Sequence, residues 1–410
     1  MRNVTLGLII GAALLVSGSL SLKATENKMK LWYDKPADEW MKSLPLGNGR
    51  LGVMIYGGIE TETLAINEST MWSGEYDEHQ QRPFGREKLN QVRKLFFENN
   101  LSEGNHVAGN MMAGSPHSVG THLPIGDLKI NFSYPQGEIS DYRHELDLHT
   151  AINTVSYKVG NTEYIRQCIA SNPDDVVAMH IKASRPKAIT MELELKLLRQ
   201  ANVVASGNQL IYTGNAEFEK HGKGGVHFEG RIAVQIKGGT IKAEGKKLYI
   251  EKATEVTLLS DVRTNFKNNT FSGYNYKIKC EKTIELASKK DFKTLKKKHI
   301  EDYSPLFSRV GLSFEHHAKF DHLPNDERWE RVKKGESGLD ALFFQYARYL
   351  LIASSRPNSP LPVALQGFFN DNLACHMGWT NDYHLDINTE QNYWIANVGN
   401  LAECHLPLFD

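Results

Sequence analysis

The feature that most limits what this chain can fold into is a change of hydrophobic period near residue 288. Before it, apolar residues recur at every second position. Met191, Leu193, Leu195 and Leu197 alternate with Glu192, Glu194 and Lys196, and Ile232, Val234 and Ile236 alternate with Arg231, Ala233, Gln235 and Lys237. A period of two turns one set of side chains into a core and the other into water, which is the mark of a half-buried strand. Gly238-Gly239 supplies a turn before Thr240 and Ile241. After the change, Phe292, Leu295, His299, Tyr303 and Phe307 fall at helical spacing, opposite a Lys-rich solvated face from Lys289 to Lys298. The order therefore predicts a large antiparallel sandwich over 25–287, a helical linker over 288–338 and a helical domain from 339 onward.

Smaller features fill in this plan. A helical insert is expected around Glu87 to Asn99, on the strength of Leu89, Val92, Leu95 and Phe96, and the Gly-, Ser- and His-rich stretch from Glu103 to Gly120 reads as a long loop. Leu339, Leu342, Phe343, Tyr346, Leu350 and Ala353 mark an apolar helix that Ser354-Ser355-Arg356-Pro357 ends. A second helix is expected from Asn388. Two helices and a loop do not close a core, so 339–410 is expected to be the opening of a helical domain whose remainder lies outside this sequence.

Composition excludes some functions. Lys+Arg and Asp+Glu are both 48, so the formal charge is zero and no general basic field is present to bind nucleic acid. A neutral ligand fits better. Met1-Arg2-Asn3, the uncharged run Val4 to Leu22, and Lys23-Ala24-Thr25 read as a secretory signal peptide over 1–24, with a retained anchor as the alternative. The mature chain is then expected to be periplasmic or secreted, away from the membrane. Cys168, Cys280, Cys375 and Cys404 are too few and too far apart for a disulfide scaffold. Cys375-His376 and Cys404-His405 lack the two-pair spacing of a structural zinc site, and His316, His317 and His322 read as solvated, so no metal and no cofactor is expected.

The stretch Asn381 to Trp394 is spaced as a site. From His384 to Asn388, polar and apolar residues alternate, so in an extended segment His384, Asp386 and Asn388 share one face while Leu385 and Ile387 anchor the other. Asn388, with Gln391 three residues on, has the pattern of a helix N-cap, which puts the polar trio on a loop at the mouth of a helix. The plainer alternative is a hydrogen-bonded loop that only caps that helix. Trp379, in a Gly-containing loop, is a candidate sugar platform, whereas Tyr393 and Trp394 read as packing. Asp371 reads as a loop hydrogen bonder, and Asn67, Glu68 and Trp72 as an interdomain contact.

Pro45 to Gly52, Asn67 to Gly74, Leu123 to Asp127, Tyr142 to Leu148, His299 to Arg309, Ser354 to Pro357, Leu365 to Gly367 and His384 to Trp394 occur in an order that resembles the N-terminal portion of glycoside hydrolase family 95, the inverting alpha-L-fucosidases. The resemblance implies a β super-sandwich, a helical linker and the first helices of an (α/α)6 catalytic barrel. It implies a fucosylated oligosaccharide or polysaccharide as substrate, with His384 contacting the sugar and Asp386 and Asn388 positioning the attacking water. Asp386 stands where the family motif has Asn, and an ionised Asp can only accept hydrogen bonds. By the same resemblance the general acid and base fall later than these residues, so the 410-residue chain is expected to be inactive alone. An alpha-L-galactosidase of the same family and a noncatalytic glycan-binding module are the alternatives.

Overall fold

A computed structural model describes residues 29–74, 85–112, 120–218, 224–266, 275–314, 320–336, 338–371 and 380–409. The expected leader over 1–24, Trp379, Cys375, His376, His316 and His317 lie outside the described residues.

Sixteen strands among the described residues form two antiparallel sheets, one of nine strands and one of seven. The strand Ile189–Leu197 lies inside the seven-stranded sheet between Gly126–Phe132 and Lys247–Ala253, with Met191, Leu193 and Leu195 buried and Glu192 and Glu194 half-buried, as the alternation requires. The strand His227–Lys237 lies in the other sheet, and Gly238-Gly239 carries the chain across to the strand Thr240–Glu244 of the first. Both glycines have positive φ, 71° and 74°, a conformation that costs an L side chain energy.

Seven α-helices are described. Two form the insert, α1 (Arg86–Phe97) and α2 (Leu101–Met112), the second standing where a long loop was expected. Its Gly104 faces the Phe96 ring of α1, so a glycine that argued for a loop instead allows close helix packing. The strand run also ends earlier than the alternation suggested. The last strand is Glu255–Thr264, and α3 (Tyr276–Ser288) follows it.

α3 turns Cys280, Thr283, Ile284 and Ala287 inward, and α4 (Phe292–Phe307) turns in Phe292, Leu295, His299, Tyr303 and Phe307. These helices cover the outer face of the nine-stranded sheet, where Ile152, Ile169, Ala178, Ala233 and Leu259 form a second apolar cluster with Ile284, Ala287, Phe292 and Leu295. Burial of that sheet on both faces explains the apolar outward residues. Asp291 caps α4 by accepting from the Thr294 N–H at 2.8 Å. The helix is pinned to the turn after the strand Ile139–Asp147, with Tyr303 Oη donating to the Leu148 carbonyl at 2.7 Å and Ser304 Oγ to that of His149 at 2.7 Å.

Within the expected linker a further helix, α5 (Asn325–Val332), occupies the polar stretch after α4, and beyond it come α6 (Asp340–Ser354) and α7 (Asn388–Val398). α6 lies on the sandwich edge strand Leu44–Gly47. Tyr349 Oη donates to the Pro45 carbonyl at 2.5 Å and the Gly49 N–H donates to Ala353 at 2.8 Å. A Cβ at Gly47 would stand 2.3 Å from the Ala353 carbonyl oxygen, so only glycine permits this approach. The two parts of the chain are thus seated on each other by backbone contact.

Candidate active site

The polar stretch lies where the sandwich meets the helical segment. It lies at the mouth of a helix, as expected, but not in the extended conformation that would put the polar trio on one face. Residues 385–387 form a turn, Ile387 has φ +74°, and Leu385 and Ile387 are 68% and 47% exposed, so neither anchors a buried face. The turn is closed by the Thr389 N–H donating to His384 at 2.9 Å and the Gln391 N–H donating to Ile387 at 2.8 Å. Ile387, not Asn388, occupies the cap position of α7, and no side chain caps it. Asn388 is the first helical residue and is half-buried.

His384 and Asp386 are exposed beside it. His384 Nε2 lies 2.8 Å from Asp382 Oδ1, and Asp382 Oδ2 accepts from Thr380 Oγ1 at 2.6 Å. The trio therefore shares a turn but not a common strand face. Tyr393 packs as expected, at 1% exposure, with its hydroxyl accepting from the Val363 N–H at 2.9 Å, but Trp394 is 59% exposed and is not a core residue.

The support behind the turn comes from the sandwich. His122 N–H donates to the Asn381 carbonyl at 2.9 Å, and Asn381 N–H donates to Thr121 Oγ1 at 2.9 Å. Asn67 Nδ2 donates to the Asn370 carbonyl at 3.1 Å while Asn67 Oδ1 accepts from the Asn370 N–H at 3.2 Å, a two-way amide clasp across 303 residues. The Trp72 and Tyr383 rings stack at 5.0 Å and 22°. Asn67 and Trp72 thus make the interdomain contact, whereas Glu68 stays within the sandwich, accepting from Thr70 Oγ1 at 2.7 Å and pairing with Arg50 at 3.4 Å. Thr121, His122 and Asn381 carry this seam. Asn381 opens the stretch read as a site, whereas Thr121 and His122 were not singled out, and their only signal was their place beside the Leu123 to Asp127 stretch.

Asp371 is exposed and lies near Tyr56, whose hydroxyl is pushed up to about 12 by burial first and then by Asp127 and Asp371. A cavity of about 440 Å³ opens between the first sandwich strands, α6 and α7, lined by residues that include Trp40, Tyr346, Phe369, Gln366, Gln391 and Asn392, with no charged side chain among them. Aromatic faces and amides suit an uncharged polyhydroxylated ligand. Among the described residues no cluster of three His, Cys, Asp or Glu side chains could hold a metal ion. Cys168, Cys280 and Cys404 are buried free thiols.

Residues 31–269 match the model described as Glycosyl hydrolase family 65, N-terminal domain, and residues 291–410 match Glycosyl hydrolase family 95 catalytic domain. The chain is 33% identical over 417 residues to Alpha-L-fucosidase 2 of Arabidopsis thaliana, covering 93% of this chain and 48% of that protein. It is 29% identical over 413 residues to Probable alpha-fucosidase A of Aspergillus niger, covering 92% of this chain and 49% of that protein. The chain spans about half the length of the curated relatives it matches. Among solved structures, a putative kojibiose phosphorylase from the human microbiome superposes with a TM-score of 0.51 at 12% identity, over 83% of this chain and 44% of that one, and so shares the fold.

Proposed function

We propose that this chain, whose residues 31–269 belong to the glycosyl hydrolase family 65 N-terminal domain family and whose residues 291–410 match the glycosyl hydrolase family 95 catalytic domain, forms part of an exported enzyme that removes terminal alpha-L-fucosyl residues from glycans with inversion. The observation that carries this reading is the seam itself. The sandwich holds the Asn381 to Asn388 segment at the mouth of α7, so that His384, Asp386 and Asn388 sit on a supported turn leading into the helix whose Gln391, Asn392 and Ile395 line an uncharged cavity.

An inverting glycosidase needs an acid at the leaving oxygen and a carboxylate base on the opposite face of the ring, about 6.5 to 9.5 Å apart, to admit a water. A group that fixes that water gains its effect from orientation. Asn388 offers a donor and an acceptor for this, and Asp386 an acceptor. His384, held against Asp382, would contact the sugar hydroxyls. By the family resemblance the acid and the base would come later in the catalytic domain than Asn388, and Asp386 and Asn388 would supply the positioning part of the site.

The reading is tested by incubating 2'-fucosyllactose and p-nitrophenyl alpha-L-fucoside with the 410-residue chain and with the longer polypeptide that contains it. The expected result is fucose release, first as the β-anomer by NMR, from the longer polypeptide only. Release by the 410 residues alone would place the acid and base within them and overturn the division of roles. Turnover of the alpha-L-galactoside but not the fucoside would replace the substrate assignment.

A further inference from the structure

We propose that His122, a residue of the sandwich, is a positioning residue for the family 95 site: as a neutral ring with its proton on Nε2, it orients Asn381 and through it the turn that presents His384, Asp386 and Asn388. The inference rests on the function proposed above for what the turn does, but not for how the ring is protonated.

The hydrogen bonds around the ring allow one arrangement. His122 Nε2 lies 3.0 Å from the Glu68 carbonyl oxygen, which can only accept, so Nε2 carries the proton. Asn381 Oδ1 accepts from the Gln366 N–H at 3.0 Å, which turns the Asn381 amide nitrogen the other way, 3.4 Å from His122 Nδ1. That nitrogen donates, so Nδ1 must be the bare acceptor. A protonated ring would set two donors against each other. Flipping the Asn381 amide to relieve this would set its nitrogen against the Gln366 N–H instead.

The backbone closes the same unit, since His122 N–H reaches the Asn381 carbonyl and the His122 carbonyl accepts from Asn370 Nδ2 at 3.2 Å. His122 is 2% exposed and Asn381 0%, so no water can substitute for either partner without repacking. Burial first, and then the positive field of Arg199, bring the His122 pKa down to about 4, against the upward pull of the Glu68 carbonyl. The nearby carboxylates are engaged elsewhere or stand off the ring. Glu68 faces Arg50 and Thr70, Asp382 faces His384 and Thr380, and Asp371, next to the buried Asn370, is itself exposed.

Only the side chain's hydrogen-bond pattern distinguishes positioning from simple filling of space. An amide in the same place can donate to Glu68 and accept from Asn381, whereas a phenyl ring fills the volume and does neither. In long-range proton–nitrogen spectra of the histidine-labelled 410-residue chain, His122 is expected as the Nε2–H tautomer from pH 8 to about 5. A charged ring or the Nδ1–H tautomer at pH 7 would overturn the proposal whatever the substrate. His122→Gln is expected to leave the backbone amide shifts of residues 384–388 in place and His122→Phe to move them, with both variants folded.

In the longer polypeptide, His122→Phe is expected to lower kcat by about a hundredfold with KM changed less, as for a misplaced reactive group, while His122→Gln stays within about threefold. Equal effects of Phe and Gln on the shifts and on kcat would reduce His122 to packing. If the unmodified longer polypeptide hydrolyses neither fucoside nor galactoside, the function fails, and the tautomer and the shifts still decide the positioning claim.

Discussion

His122 and His144 are both at most 2% exposed, and both have consequences for stability in acid. An unfolded imidazole titrates near 6.5. In the fold, burial chiefly brings His122 down to about 4, and burial followed by the Arg166 charge brings His144 to about 3. Below pH 6.5 the unfolded chain therefore binds protons that the folded chain cannot, and stability falls as pH falls toward 4. Two such groups lose on the order of a few kcal/mol between pH 7 and pH 4.5, at about 1.4 kcal/mol per unit of pKa difference. The carboxylate of Asp175 adds nothing in this range. Burial pushes its pKa up, but Arg50 and Arg263 bring it down to about 2, so its contribution is lost only below about 4. The expected outcome is a urea midpoint that drops clearly from pH 7 to pH 4.5 and drops less in His122→Gln. Burial raises the carboxyls of Glu62, Glu68 and Asp261, which act in the opposite direction, so the deciding comparison is with the variant: an equal drop in wild type and His122→Gln would contradict the buried neutral state of His122. None of this was readable from the chain, where His122 was one of 16 histidines and its partners lie 54 and 259 positions away.

Helices make the corresponding point about Arg348, which is fully buried on α6 with no carboxylate partner among the described residues. Its guanidinium donates to the Leu306 carbonyl at 3.0 Å, to Phe307 at 2.7 Å and to Gly399 at 2.8 Å. The first two belong to the last turn of α4 and the third caps α7, so one cation serves the negative ends of two helices and ties three elements together. Arg348→Met keeps the length but leaves those carbonyls buried and unpaired. It is expected to cost about 3 kcal/mol or more and to open the α6 and α7 segment to protease before the sandwich. A variant with wild-type protease resistance would show that the carbonyls find other partners. Element identity was legible for α4, whose five periodic residues are all buried, and for most strands. It was not legible for α2, where glycines are common, nor for α3, whose inward residues are Cys280, Thr283, Ile284 and Ala287 and carry too little hydrophobic contrast. The turn at Ile387 failed for another reason. A β-branched residue with φ near +74° is held there by its surroundings, and no local preference announces it.

The molecule as a whole presents several large apolar side chains to solvent on its helical side. Phe343 is 73% exposed, and on α7 Trp394 and Val398, one turn apart, are 59% and 75% exposed. Paired exposed residues of this size favour association. The 410-residue chain is therefore expected to self-associate with rising concentration in analytical ultracentrifugation, and Trp394→Lys with Val398→Lys to reduce this without lowering the unfolding midpoint. A monomer at all concentrations would show that these side chains are harmless. The period change near residue 288 was sufficient to read a sandwich followed by helices, because burial of alternate or helically spaced residues is a local pattern. The ordered motifs carried the family resemblance, and through it the candidate positions His384, Asp386 and Asn388. How the sandwich grips the helical segment was written in no local pattern. Gly47 against Ala353, Asn67 against Asn370 and His122 against Asn381 are pairings between residues 259 to 306 positions apart. Such contacts exist only once both surfaces are folded and pressed together, so the turn that presents the site takes its shape from that docking and not from its own sequence.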